Sequence, residues 1–406
     1  MKTIYINLVS EQLIPNLIPT LQDNNCIGVV LVLGDVRFQQ KADLLRKIYQ
    51  RNGIDVLGDY QGDSSTRLMS LQSLAHSLLD DLQARYNDTD IRWILNATCG
   101  TKPMSLAFTN AFNQFNQQHA DDGTGPKALV LYTDTEHKEI PLLNQDTDFA
   151  LPFTDVLTLD DSLLANGFEL ESASDSDNDT HVRHRKALTL YLLRQFAESC
   201  KPLMGILQYA AHQARQNFLL ADTQLLNTTP KGPWADLIGR VQDAGLVQWD
   251  GEKQLCFTSE EACVYLSGGW LEEATYLIAQ KVGFRYVALG VTGQWRQDLA
   301  GYNLSSEVSN ELDVLVLHNN RLLVVECKAI NWNAQESQKN QGIVHKLENL
   351  GRKLGGQFAS STLISAQELT DSVRQRLESS NIEYVEAPCT EAAIERMFNN
   401  WKTMVS

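Results

Sequence analysis

Asp313, Glu326 and Lys328 lie where two strand-like runs come together. The runs Asn310-Glu-Leu-Asp-Val-Leu-Val-Leu317 and Leu322-Leu-Val-Val-Glu-Cys-Lys-Ala329 are apolar and β-rich, and His318-Asn-Asn-Arg321 between them has the composition of a tight turn. Side chains alternate along a strand, so Glu326 and Lys328 share one face and Val325 and Cys327 the other. Asp313 can face them across the hairpin, which gathers two carboxylates and one ammonium at one sheet edge.

Hard carboxylate oxygens suit Mg²⁺ or Mn²⁺, ions that neutralise phosphoryl oxygens and acidify bound water, as phosphodiester hydrolysis requires. Asp313 and Glu326 are the expected metal ligands, with the backbone carbonyl of Cys327 as a further one. Lys328 would orient the water and balance negative charge. Glu311 lies on the face of Asp313 and either assists the metal or is solvated. Lys346, Arg352 and Lys353 follow in a helical stretch that could meet a substrate backbone or simply face solvent.

A second segment with chemistry is Asn96-Ala-Thr-Cys-Gly-Thr-Lys-Pro-Met104, a small-residue turn opening a helix. Backbone N–H groups and the positive end of a helix converge at such a turn and suit a phosphate. Thr98 and Thr101 add hydroxyls and Lys102 a cation. The spacing is not that of a Walker loop.

These segments need elements to hold them. The first third alternates strand-like runs (Thr3–Val9, Ile27–Leu33, Ile54–Leu57, Trp93–Ala97, Ala128–Tyr132) with helical patterns (Gln39–Tyr49, Thr66–Arg85, Thr101–Phe115). That is the form of a parallel sheet wrapped by helices, where ligands bind beyond the carboxyl ends of the strands. The acidic, polar stretch from Glu171 to Thr180 cannot join a core and reads as a linker or exposed loop. Helical patterns over Lys186–Ser199, Pro202–Arg215 and Trp234–Ala244 then precede a hairpin, Leu246–Trp249 with Leu255–Thr258. This is the outline of a winged helix. Its third helix offers only Arg240 as a cation, which favours a structural or dimer-forming role over base reading.

With 406 residues, 43% hydrophobic and 21% charged, the chain is long enough for two or three globular domains, and three are expected: 1–165, 166–265 and 266–406. The formal charge of −16 argues against a protein that coats DNA by counterion release, yet permits transient engagement through a metal and a local basic patch. Seven cysteines without a Cys-x-x-Cys pair point to reduced thiols and to no structural zinc. No apolar run approaches a membrane span and the start lacks a signal-peptide layout, so a cytoplasmic protein with no membrane partner is expected.

Asp313 followed by Glu326-x-Lys328 after a hairpin resembles the PD-(D/E)xK nucleases of the restriction-endonuclease-like fold. That family opens with a helix bearing another Glu, and Gly268-Gly-Trp-Leu-Glu-Glu-Ala274 stands in its place, with Glu272 the match and Glu273 the alternative. The family's Pro before the Asp is replaced by Leu312. The Asn96–Lys102 loop resembles the Asn-x-Thr-Gly-Gly-Thr-Lys loop of CARF domains, the Rossmann-like sensors of CRISPR defence, with Cys99 in place of the first Gly. Val9-Ser-Glu-Gln-Leu-Ile-Pro-Asn16 is similar to that family's strand-one loop.

The resemblance implies an α/β protein made of a Rossmann-like CARF domain, a winged-helix-like connector and a restriction-endonuclease-like α/β domain. It looks like the single-CARF ancillary nucleases of type III CRISPR systems. For such a protein the implied ligand contacts are Ser10, Gln12, Asn96, Thr98, Gly100, Thr101 and Lys102, and the implied catalytic set is Glu272, Asp313, Glu326 and Lys328. The resemblance further implies a homodimer that binds one cyclic tetra-adenylate and then cuts single-stranded RNA and DNA, or nicks duplex DNA, with Mn²⁺ or Mg²⁺. Two rivals remain: a ligand-responsive transcription regulator with a scaffold carboxy-terminal domain, and a nuclease without a second messenger.

Overall fold

The computed structural model describes residues 1–86, 90–119, 128–144, 150–174, 180–198, 201–216, 218–296 and 310–406. The centre of the acidic stretch, 175–179, and Cys200 lie outside them. The chain forms two compact units, Met1–Glu169 with Gln294–Val308, and Leu170–Gly293 with Ser309–Ser406.

In the first unit the chain runs β1 (Lys2–Leu8), α1 (Ile14–Leu21), β2 (Cys26–Leu33), α2 (Gln39–Arg51), β3 (Val56–Gln61), α3 (Leu68–Arg85), β4 (Ile91–Asn96), α4 (Lys102–Gln118) and β5 (Ala128–Leu131). A short hairpin, β6 (Glu139–Pro141) with β7 (Ala150–Pro152), and α5 (Leu159–Ala165) follow. The five parallel strands pair in the order β3-β2-β1-β4-β5. The direction of winding reverses between β1 and β4, which opens a crevice beyond their carboxyl ends. Strands buried on both faces read as unbroken aliphatic runs, as Gly28-Val-Val-Leu-Val-Leu33 does. Ile4, Ile6, Trp93 and Leu95 pack on Phe108 and Phe112 of α4 and on Leu71 and Leu78 of α3.

Helix α1 was not foreseen, because Ile14-Pro-Asn-Leu-Ile-Pro-Thr-Leu21 carries two prolines and no charge. Tertiary burial of nearly the whole turn overrides that weak local propensity.

The chain leaves the first unit along β8 (Phe168–Ser174). The second unit continues with α6 (Thr180–Glu198), α7 (Lys201–Gln216), α8 (Phe218–Ala221), β9 (Thr223–Leu225), α9 (Pro233–Asp243), β10 (Val247–Trp249), β11 (Gln254–Phe257), α10 (Glu260–Val264) and α11 (Trp270–Val282). It ends with β12 (Tyr286–Trp295), β13 (Asn310–His318), β14 (Arg321–Lys328), α12 (Ser337–Gly355), β15 (Ala359–Ser365), α13 (Asp371–Ser379), β16 (Glu383–Val385) and α14 (Glu391–Val405). The winged-helix outline is present, with β9 added to the wing as the third strand of the sheet β10-β11-β9. The main sheet has the order β16-β15-β14-β13-β12-β8.

Where three segments were expected, the connector and the carboxy-terminal segment form one unit. Phe196, Met204 and Ile238 of the connector share one continuous core with Trp270, Val325, Phe398 and Trp401, so no solvated boundary divides them. Among the described residues, no helix is long and apolar enough to cross a membrane.

Candidate functional site

The hairpin forms as its sequence requires. Asn319 and Asn320 both adopt positive φ, 50° and 58°, the conformation of a two-residue turn that matches strand twist. The antiparallel register pairs Val314 with Val325, which places Asp313 next in line opposite Glu326. An Asp313 carboxylate oxygen accepts the Cys327 backbone N–H at 2.7 Å. Lys328 Nζ lies 2.6 Å from Glu326 Oε1, 3.3 Å from Asp313 Oδ2 and 3.0 Å from the Cys327 carbonyl. The Cys327 thiol points the other way, donating to Thr275 of α11 at 3.5 Å, and burial holds it protonated.

Helix α11 supplies the fourth member. It follows a kink at Gly268, whose backbone is not helical, between α10 and α11. Its two adjacent glutamates have different fates. Glu273 is 3% exposed and accepts from Arg185 Nε at 2.7 Å, from Arg185 Nη2, and from Thr189 at 3.1 Å. Arg185 also lies over the Tyr265 ring. Glu273 therefore ties α11 to α6. Glu272 is half-buried and feels Asp313, Glu311 and Glu326. Burial first, then Asp313, pushes its carboxyl up to about 8, and burial and Glu326 push Asp313 up to about 6.

The set thus carries more negative charge than Lys328 can balance. Among the described residues, no three His, Cys, Asp or Glu side chains form a ready-made metal cluster. The oxygens of Asp313, Glu326 and the Cys327 carbonyl instead converge on the Lys328 ammonium. Hard oxygens converging on one positive charge, with a surplus of carboxyl groups beside them, are a donor set that fits Mg²⁺ or Mn²⁺. Glu311, Lys346, Arg352 and Lys353 are exposed, the last three on α12.

In the first unit the loops beyond β1 and β4 meet at the crevice. Gly100 has φ 79°, and a Cβ there would stand 2.9 Å from Leu8 Cβ, so glycine is required twice over. Thr101 caps α4, its hydroxyl accepting from Met104 N at 3.4 Å and donating to the Ser65 carbonyl. Lys102 projects into solvent from the first turn. Ser10 and Gln12 reach the surface, with the Ser10 hydroxyl donating to the Gln12 carbonyl at 3.2 Å. Asn96 is fully buried; its Nδ2 donates to the Pro15 carbonyl at 2.8 Å and its Oδ1 accepts from Thr98 N at 3.1 Å. It shapes the loop from within rather than presenting a surface. Thr98 accepts from Thr133 N at 2.6 Å, and the Cys99 thiol donates to the Gln12 carbonyl at 3.3 Å.

Sequence reasoning passed over Arg37, whose guanidinium donates to Asp35 at 2.9 and 2.7 Å and to Ser65 at 2.9 Å, and over Thr133. Both lie on loops beyond strand carboxyl ends, β2 and β5, and the rule applied to β1 and β4 would have found them.

No curated protein matches the chain. The solved structure of protein VC1899 from Vibrio cholerae is similar over 100% of this chain and 99% of its own, with a TM-score of 0.80 at 18% identity. Can2 from Sulfobacillus thermosulfidooxidans, solved in complex with cyclic tetra-adenylate, is similar over 99% of this chain and 97% of its own, with a TM-score of 0.73 at 21% identity. A type III CRISPR defence DNA nuclease described as activated by cyclic oligoadenylate shares the fold over 90% of this chain but 45% of its own (TM-score 0.54, 16% identity). At these identities the three share a fold. Residues 4–145 match the family model of the Card1 CARF domain, and residues 259–405 that of the Card1-like endonuclease domain. The first match includes the loops beyond β1 and β4 and the second spans Glu272, Asp313, Glu326 and Lys328, so the chain joins a CARF domain to a Card1-like endonuclease domain.

Proposed function

We propose that the protein is a metal-dependent endonuclease switched on by cyclic tetra-adenylate, cutting single-stranded RNA and DNA or nicking duplex DNA, or both. The observation that carries this reading is the convergence of Asp313, Glu326 and the Cys327 carbonyl on one positive charge beside Glu272. Asp313, Glu326 and that carbonyl would hold Mn²⁺ or Mg²⁺. Bound there, the ion supplies charge neutralisation for the scissile phosphate and acidity for water.

The protein's own groups do the rest. Lys328 places a positive charge between Glu326 and Asp313 and presents its ammonium to the incoming phosphate or water. The Cys327 N–H fixes the Asp313 carboxylate. Glu272 adds a carboxyl from α11.

On the sensor side, the strand-one loop with Ser10 and Gln12 and the turn with Thr98, Gly100, Thr101 and Lys102 form a phosphate-accepting crevice at the switch between β1 and β4. A ligand can switch the enzyme only if it binds the active arrangement more tightly than the resting one. A symmetric homodimer sharing one cyclic ligand supplies such a two-state element. The test is cleavage of labelled single-stranded RNA, single-stranded DNA and supercoiled plasmid with Mn²⁺ or Mg²⁺, with and without cyclic tetra-adenylate and cyclic hexa-adenylate. Cutting only with the tetra-adenylate is expected. Cutting without ligand removes the switch, and ligand binding with no cutting under any metal points to a regulator instead.

A further inference from the structure

Helix α1 contains Pro19, which has no N–H. The helical partner of the Pro15 carbonyl would be that N–H, so the carbonyl is left over in a buried place where it must be paired. Two side chains distant in sequence capture it: Asn96 Nδ2 at 2.8 Å and Thr133 Oγ1 at 3.1 Å. Thr133 is 1% exposed and 118 residues from Pro15. Its own N–H donates to Thr98 Oγ1 at 2.6 Å. One threonine beyond β5 therefore fastens the start of α1 and the turn beyond β4 together. The strand-one loop runs from Val9 into α1, and Asn16 Nδ2 closes it by donating to the Leu8 carbonyl at 2.9 Å.

We infer that Thr133 is a positioning residue for the ligand loops: by holding the carbonyl that Pro19 leaves unpaired, it fixes Ser10 and Gln12 against the Thr98–Lys102 turn and sets the ligand concentration at which the protein responds. This rests on the proposed ligand-gated reading. Pro19 leaves the Pro15 carbonyl without its helical donor, and Asn96 and Thr133 take up its two lone pairs, so a donor restored at residue 19 competes with them.

The test is a double-mutant cycle of Thr133→Val and Pro19→Ala, with Thr133→Ser as the conservative variant, all on the full chain. Cyclic tetra-adenylate is titrated for half-maximal activation and maximal rate, and hydrogen exchange of the Ser10–Leu17 amides is followed without ligand. Thr133→Val is expected to raise the half-activating concentration about fivefold, the worth of one neutral hydrogen bond, with the maximal rate kept. Thr133→Ser restores it. In the Pro19→Ala background the helix supplies its own donor, so the further effect of Thr133→Val falls to about twofold or less. An unchanged half-activating concentration, or the same penalty in both backgrounds, overturns the inference. If the unaltered protein responds to no cyclic oligoadenylate, the gated reading fails and exchange decides the positioning role. Faster Ser10–Leu17 exchange in Thr133→Val but not in Thr133→Ser upholds it, and equal exchange rejects it.

Discussion

Glu272 and Glu273 are neighbours on α11, yet neutralising each should act in opposite directions. With its carboxyl pushed up to about 8 against an ordinary 4.5, Glu272 binds its proton more tightly in the folded than in the unfolded chain. Its effect on stability is level below pH 4.5, worsens as pH rises to 8, and is level again above. At pH 7 holding this buried carboxyl in its protonated form corresponds to about 3 kcal/mol, of which on the order of 1–3 kcal/mol is released by Glu272→Gln once its neighbours readjust. The Gln variant should therefore match the unaltered protein at pH 4.5 and melt several degrees higher at pH 7, at roughly 2–4 °C per kcal/mol for a unit of this size. Cleavage should fall about 100-fold or more, the scale for losing a group that acts on the transition state. Glu273→Ala removes the buried carboxylate that the partly buried Arg185 pairs with and should cost about 3 kcal/mol, while cleavage survives at temperatures below the lowered melting point. Melting curves from pH 4.5 to 8 without divalent ions, with cleavage assays at 20 °C or so, decide the matter. Adding Mn²⁺ should flatten the pH dependence of the unaltered protein. Equal pH profiles for the unaltered and Glu272→Gln proteins, or loss of cleavage in the stable state of Glu273→Ala, would refute the assignment.

Glu326→Ala should abolish cutting yet leave cyclic tetra-adenylate binding intact, as cleavage and calorimetric titration would show; normal cleavage would remove Glu326 from the mechanism. Lys102→Ala should raise the half-activating ligand concentration without lowering the maximal rate, and an unchanged titration would make Lys102 a solvated residue only. Gly100→Ala forces a side chain into a positive-φ position against Leu8, with a cost of about 1–3 kcal/mol, and should lose activation while melting of the second unit is unchanged. Chelation by EDTA should stop cleavage, and Mn²⁺ or Mg²⁺ in excess should restore it.

The hairpin and the grouping of its polar side chains were legible in the sequence because they are local. Alternation puts Glu326 and Lys328 on one face whatever surrounds them, and the Asn-Asn turn sets the register that brings Asp313 opposite Glu326. The parallel sheet was legible for a similar reason, since strands buried on both faces must be aliphatic throughout. The tertiary structure alone decided which glutamate of α11 lies beside Asp313 and which pairs with Arg185, because that depends on which side of the helix meets α6. It decided the unit boundary, since apolar residues of the connector do not reveal which core they will enter. It also decided that a proline-rich segment read as loop becomes α1, and that its unpaired carbonyl meets Thr133, because a hydrogen bond spanning 118 residues leaves no trace in local pattern.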